Sequence, residues 1–127
     1  MLKIIQFFRS FARNKSNKMD WINLNSIEQL IEINEKSKDK TQIIFKHSIR
    51  CSVSIFAKRI LTDEYSAEIK NNADVYYLDL IAFRGVSDTI ANRYNVVHES
   101  PQILVINNGE CTFHASHSDV SFKSVFP

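Results

Sequence analysis

Among the side chains of this 127-residue chain, Cys51 has the surroundings best suited to chemistry. It follows His47, Ser48, Ile49 and Arg50 and precedes Ser52, Val53 and Ser54. Its neighbours are hydroxyls and cations, a polar setting unlike that of a core cysteine. An amphipathic helix is expected from Ser52 onward, so Cys51 falls at a helix N-terminus. Unpaired N–H groups, the positive end of the helix dipole and Arg50 all favour thiolate over thiol. The thiolate is the nucleophile of thiol–disulfide exchange. With a Brønsted slope of ~0.5, lowering a thiol's basicity helps departure from a mixed disulfide more than attack on one. His47 is placed to hold the thiolate, or else is a satisfied loop histidine. Lys46 and Arg50 are placed to grip a ligand carboxylate, or else are solvated charges. Cys111 alternates with Phe113 and Ala115, which predicts a core-facing, slow thiol. To resolve Cys51, its Cα would have to lie within ~7 Å of the Cα of Cys51. His98, His114 and His117 have no metal-ligand spacing within one element, so neither a metal nor a bound cofactor is expected.

The elements that must position Cys51 can be read along the chain. Asp20–Leu24 reads as a short strand or an extended entry. Ser26 and Gln29 form a capping-box pattern for a helix running to about Ser37. Thr41–Lys46 contains Ile43, Ile44 and Phe45 in a row, a buried strand, and His47–Arg50 is a loop. Val53, Phe56, Ala57, Ile60 and Leu61 repeat at helical spacing and predict an amphipathic helix from Ser52 onward. Val75–Ile81 is a strand, followed by Arg84 as a further candidate ligand grip. Ser87–Tyr94 is a helix with Asn95 as a left-handed stop. Gln102–Ile106 and Glu110–Ala115 form a hairpin about Asn107, Asn108 and Gly109. Asp119–Phe126 can form a last helix.

Strands separated by helices require crossovers and parallel pairing, while the Asn-Gly turn makes the last pair antiparallel. The expected fold is α/β: a central mixed sheet of four or five strands, flanked by helices on both faces, in the thioredoxin-like arrangement. In that fold the loop before the hairpin ends in a cis proline that abuts the active cysteine. Ser100-Pro101, immediately before Gln102, occupies that position.

The charge distribution separates two regions. Residues 1–18 carry Lys3, Arg9, Arg13, Lys15 and Lys18 and no acid, so the remaining 19–127 is net acidic although the chain is +2 overall. The expected organisation is a basic amphipathic segment, 1–18, and a domain, 19–127. The segment's apolar stretches are two residues long, far short of a signal peptide's 7–15-residue apolar region. It reads as a short packed helix or a partly disordered tail, with weak membrane-surface contact by residues 1–15 as the alternative. No apolar run approaches the ~20 residues needed to span a bilayer. Two cysteines make no disulfide scaffold, so a reducing cytoplasmic setting is expected. The acidic domain has no basic face interleaved with aromatics, so nucleic acid is not expected as a partner.

Cys51-Ser52-Val53-Ser54 resembles the Cys-x-x-Cys of the thioredoxin superfamily, with Ser54 in place of the second cysteine. The runs Phe45–Cys51, Tyr77–Arg84, Val97–Gln102, Asn108–Cys111 and Ala115–His117 resemble the YtxJ-like monothiol bacilliredoxins of the bacillithiol system. The likeness extends over roughly residues 20–125. It implies a thioredoxin-like fold and a monothiol oxidoreductase that removes a low-molecular-weight thiol from protein mixed disulfides. It implies Cys51 as nucleophile, with Arg50, Ser54, His47, Lys46, Ser100, Pro101 and Arg84 as thiolate-stabilising or substrate-binding candidates. The partners would be S-thiolated client proteins and bacillithiol or a similar thiol as co-substrate. That family's motif commonly reads Thr-Arg-Cys-Pro, whereas Ile49 and Ser52 stand here on either side of Arg50-Cys51. A non-catalytic thioredoxin-like binding or chaperone module is the alternative, separable by whether Cys51 exchanges thiols. Iron–sulfur carriage by a Cys-Gly-Phe-Ser motif is disfavoured, because Ser52-Val53 lacks the glycine.

Overall fold

The computed structural model describes residues 18–126. Five strands form one sheet: β1 (Trp21–Asn23), β2 (Thr41–His47), β3 (Ala73–Asp79), β4 (Gln102–Asn107) and β5 (Glu110–Ser116). Their spatial order is β1-β3-β2-β4-β5. The strands β1, β3 and β2 are parallel, and β4 and β5 add antiparallel at the other edge. The helices are α1 (Glu28–Lys36), α2 (Ser52–Glu64), α3 (Ala67–Asn72) and α4 (Arg84–Tyr94).

Two apolar layers cover the sheet. Leu30, Ile33, Val86 and Ile90 of α1 and α4 pack on Ile44, Tyr76 and Leu104. Ala57, Leu61 and Ile69 of α2 and α3 pack on Ile43, Phe45, Val75 and Ile103 on the other face. The central strands are therefore buried on both sides, which is why Ile43, Ile44 and Phe45 run without polar alternation. Such a sandwich fixes β2 rigidly, and β2 delivers the loop that carries Cys51.

Local signals act where their chemistry requires. Gln29 Oε1 accepts from the Ser26 and Asn25 N–H groups at 3.0 and 2.7 Å, the glutamine half of a capping box. Asn95 ends α4 in the left-handed region at φ 54°. Asn108 and Gly109 have φ 51° and 76°, as a two-residue hairpin demands. The Ser100–Pro101 peptide is cis.

Several expectations are corrected. Asp119–Phe126 forms no helix; a 3-10 turn, His117–Asp119, precedes an irregular segment. Val120 and Phe122 both enter the α2/α3 layer, and Glu64 accepts from Ser121 Oγ and the Phe122 N–H at 2.7 and 2.8 Å. Those anchors fit an irregular chain better than a helix whose apolar residues split over two faces. Helix α3 was not anticipated: Ser66 caps it, accepting from the Ile69 N–H at 3.3 Å, and its single buried side chain, Ile69, gives no periodicity. The buried face of α2 is Ser54, Ala57 and Leu61, while Val53 and Phe56 are 44% and 61% exposed. The basic segment 1–17 lies outside the described residues.

The bulge on β5 overturns the reasoning about Cys111. Ile106 pairs with Cys111 but Val105 pairs with Phe113, so Thr112 is extra. An extra residue reverses the alternation of faces. Cys111 therefore packs on the α1/α4 layer and Ala115 on the α2/α3 layer. Phe113 is 37% exposed.

Candidate active site

Strand β2 ends at His47, a four-residue turn follows, and α2 starts at Ser52. Cys51 is the N-cap of α2, with extended backbone at φ −109° and ψ 120°. Its N–H donates to Ser48 O at 3.2 Å, and its carbonyl accepts from the Ile55 N–H at 3.0 Å. The turn is thus closed on one side and continuous with the helix on the other. The Cys51 side chain makes no capping hydrogen bond, and the thiol is free and half-buried. Ile49 and Arg50 are exposed at the tip of the turn.

Ser54, at the position of a second cysteine, is fully buried. Its Oγ accepts from the Ser48 N–H at 3.0 Å and lies 2.6 Å from His47 Nδ1. The buried hydroxyl thus bridges the turn backbone at Ser48 and the imidazole at the end of β2. This corrects two expectations. His47 is the last residue of β2, 2% exposed, and its Nδ1 is bonded to Ser54 rather than to the thiol. Ser54 is a tie between strand, turn and helix. The His47 ring also packs on Phe45 and Tyr77, each at 5.4 Å between centroids. Burial, with Lys58 nearby, pushes the His47 pKa below the usual histidine value. The unfolded chain therefore binds a proton near pH 6.5 that the folded chain refuses, and stability should fall as pH drops through that range. Urea denaturation at pH 7.5 and 5.5 would show this as a lower midpoint in acid. His47→Phe should shrink the difference, and what remains belongs to His98, whose pKa burial and Lys46 also lower.

Lys46 departs furthest from expectation. It is neither solvated nor available to a ligand: its side chain is wholly buried, on the α1/α4 face of β2. Desolvation, partly opposed by Asp88, brings its pKa down to about 8. The strand runs on through His47 with helices on both of its faces, so Lys46 is buried along with Ile43, Ile44 and Phe45. Arg84 opens α4 in the layer opposite α2 and is exposed, at the rim of a cavity shared with Asn25–Glu28 and Phe83.

Pro101 reaches the same end of the sheet as Cys51 through strand register. Gln102 pairs with Lys46, so Pro101 lies level with His47, four residues before the thiol. Pro101 O accepts from the His117 N–H at 2.9 Å, which ties the loop to the end of β5. Ser100 Oγ is buried without a partner. Beside the thiol, Val53, Phe56, Ile60 and His117 help line a cavity of about 380 Å³. The apolar stripe of α2 thus divides between the core, at Ala57 and Leu61, and this cavity, a division that periodicity alone does not specify.

Cys111 sits at the other end. It pairs with Ile106, four residues along β4 from Gln102, about 13 Å at ~3.3 Å per residue. That exceeds the reach of a disulfide. Burial pushes the Cys111 pKa up, with its Sγ 3.3 Å from Phe113 O. Among the described residues, no cluster of three or more His, Cys, Asp or Glu could hold a metal. No helix among them is long and apolar enough to cross a membrane.

The sequence matches the family of the monothiol bacilliredoxin BrxC over residues 22–125. The chain belongs to that family. A solved structure described as a proposed oxidoreductase with a thioredoxin fold is 34% identical, with a TM-score of 0.70. The match covers 82% of this chain and 88% of that one. Thioredoxin from Malassezia sympodialis superposes with a TM-score of 0.68 at 12% identity, over 84% of this chain and 86% of its own. Thioredoxin from Trypanosoma brucei brucei gives 0.63 at 14%, over 79% and 80%. The last two establish the thioredoxin-like fold alone. Family and fold together give this bacilliredoxin-family chain a role in thiol redox chemistry.

Proposed function

We propose that the chain is a monothiol oxidoreductase that takes a low-molecular-weight thiol off S-thiolated client proteins through Cys51. The observation that carries this reading is the pair of positions in the Cys-x-x-Ser turn. Cys51 is free at the start of α2, and Ser54, where a resolving thiol would stand, is buried and committed to His47 and Ser48. With Cys111 at the far end of the sheet, no internal thiol can close a disulfide on Cys51.

In the first step the Cys51 thiolate attacks the small-thiol sulfur of the client's mixed disulfide. The sulfur–sulfur bond breaks, the client leaves as thiolate, and Cys51 keeps the small thiol as a new mixed disulfide. In the second step a free small thiolate attacks that disulfide and leaves as the symmetric small-molecule disulfide, restoring Cys51. Two electrons pass from the small thiols to the client, and no protein-bound cofactor is required. Family membership supports bacillithiol as the small thiol, and a cytoplasmic setting suits thiols kept reduced.

The test is intact mass after exposure to oxidised bacillithiol and, separately, oxidised glutathione. One adduct on Cys51 is expected, more complete with bacillithiol. An adduct only on Cys111, or none, contradicts the reading. Residues 1–15 precede the first strand and contain no cysteine. Their removal should leave the exchange rate within about twofold, since attack needs only the thiol and its turn. A loss beyond tenfold in stopped-flow assays would mean that the segment builds the site. Salt-sensitive binding of the full chain to anionic vesicles, lost on truncation, would assign the segment to a membrane surface instead.

A further inference from the structure

A fully buried lysine, free of any ion pair among the described residues, needs a reason. Lys46 Nζ lies 3.3 Å from Ser87 O on α4 and 3.3 Å from His98 Nδ1. Ser87 Oγ lies 3.2 Å from the same Nδ1. His98 stands three residues before Pro101, in the connection between α4 and β4. An ammonium has only hydrogens to offer, so Nδ1 must present its lone pair and the ring proton must sit on Nε2. Across the strand pair, Gln102 shares the face of Lys46, and its Nε2 donates to Val97 O at 3.0 Å. Gln102 Oε1 is buried with no partner, an acceptor on the same face as an ammonium that has a third N–H to give. The polar groups of this interior therefore converge on one segment, Val97–Pro101.

We propose that Lys46 is a positioning residue: acting through His98, it holds the Val97–Pro101 loop where a client's mixed disulfide meets Cys51. This rests on the monothiol reading above. The alternative explanation, plain stability, is a poor one. Taking an ammonium out of water costs several kcal/mol, and no ion pair among the described residues offsets that cost at Lys46. A lysine kept there at a desolvation cost is better explained by what it holds in place. The nearby charges are Asp88 and Arg84 on α4 and Glu99 in the loop itself; Asp88 offsets part of the burial cost on Lys46. Gln102 Nε2 to Val97 O and the His117 N–H to Pro101 O also tie the loop, so losing Lys46 should loosen it rather than release it.

The test uses Lys46→Met and His98→Ala in the full chain, with a thiolated client. A misplacement of ~1 Å at a reacting pair can cost 10²-fold, so a loosened loop should cost about tenfold with a protein client. Alkylation of Cys51 by iodoacetamide, which needs no loop, should stay within twofold. The urea midpoint of Lys46→Met should be equal or higher. The double variant should lose less than twofold beyond either single one. Two readouts need no activity. The His98 ring should lose its single Nε2–H tautomer and titrate at higher pH in Lys46→Met. Backbone order parameters of Val97–Ser100 should fall from near ~0.85 toward ~0.6. Unchanged His98 shifts and unchanged order parameters would overturn the inference, whatever the activity. Client and iodoacetamide rates falling together, with a lower urea midpoint, would reduce Lys46 to a structural role. Absence of client turnover in the unmodified chain would instead contradict the monothiol reading, and the two spectroscopic readouts would still decide the role of Lys46.

Discussion

Cys51→Ser should abolish release of a small thiol from a thiolated client, whereas Cys111→Ser should keep the rate within about twofold. The size of the first effect follows from the chemistry: a serine hydroxyl does not exchange with a disulfide, and no second thiol is within reach. The second follows from position. Cys111 is four residues along β4 from the active end, on the other face of the sheet from α2, and its burial disfavours the thiolate. Iodoacetamide with peptide mapping should label Cys51 first and Cys111 slowly. If Cys111 reacts first, or Cys51→Ser remains fully active, the monothiol mechanism fails and the binding-module reading takes its place.

The place of Cys51 at a helix start could be read from the sequence because it depends on local order. A buried strand, a short polar turn and an amphipathic helix place a thiol at a helix start wherever they occur. Pro101 could be placed once the element order named the fold. What escaped was anything set by which face a residue meets. Lys46 looked solvated because its type outweighed its place in a strand covered on both sides. The tie between His47 and Ser54 could not be seen, because it depends on the turn folding back so that residues seven apart meet. Phe56 shares the apolar repeat of α2, yet the helix leans on Ala57 and Leu61. Thr112 inserted a residue that no propensity announces, and Cys111 changed layers with it.

The C-terminal segment shows the same limit and carries the second large effect. Phe122→Ala should destabilise the domain by about 3–5 kcal/mol, the usual cost of emptying a buried aromatic site. Phe122 is 1% exposed and packs against Tyr65 with ring centroids 6.4 Å apart. A domain of this kind holds only about 5–15 kcal/mol in total, so the melting temperature should fall by at least about 10 °C. Were the segment the helix that its sequence allows, with its apolar residues on two faces, the loss would be much smaller. A shift below about 3 °C in a thermal melt would contradict the packing described. Activity per folded molecule should be retained at low temperature, because Phe122 lies in the packing of α3 and the end of α2, away from the turn that holds Cys51.

The most direct measurement follows the small thiol itself. A client carrying a bacillithiol mixed disulfide is mixed with one equivalent of the reduced chain, with no free small thiol present, and intact masses of both proteins are taken over time. The client should lose the mass of one small thiol while this chain gains it, on Cys51 by fragmentation, and the reaction should stop there. Loss of the small thiol from the client without its appearance on Cys51, or formation of a disulfide between Cys51 and Cys111, would contradict the account.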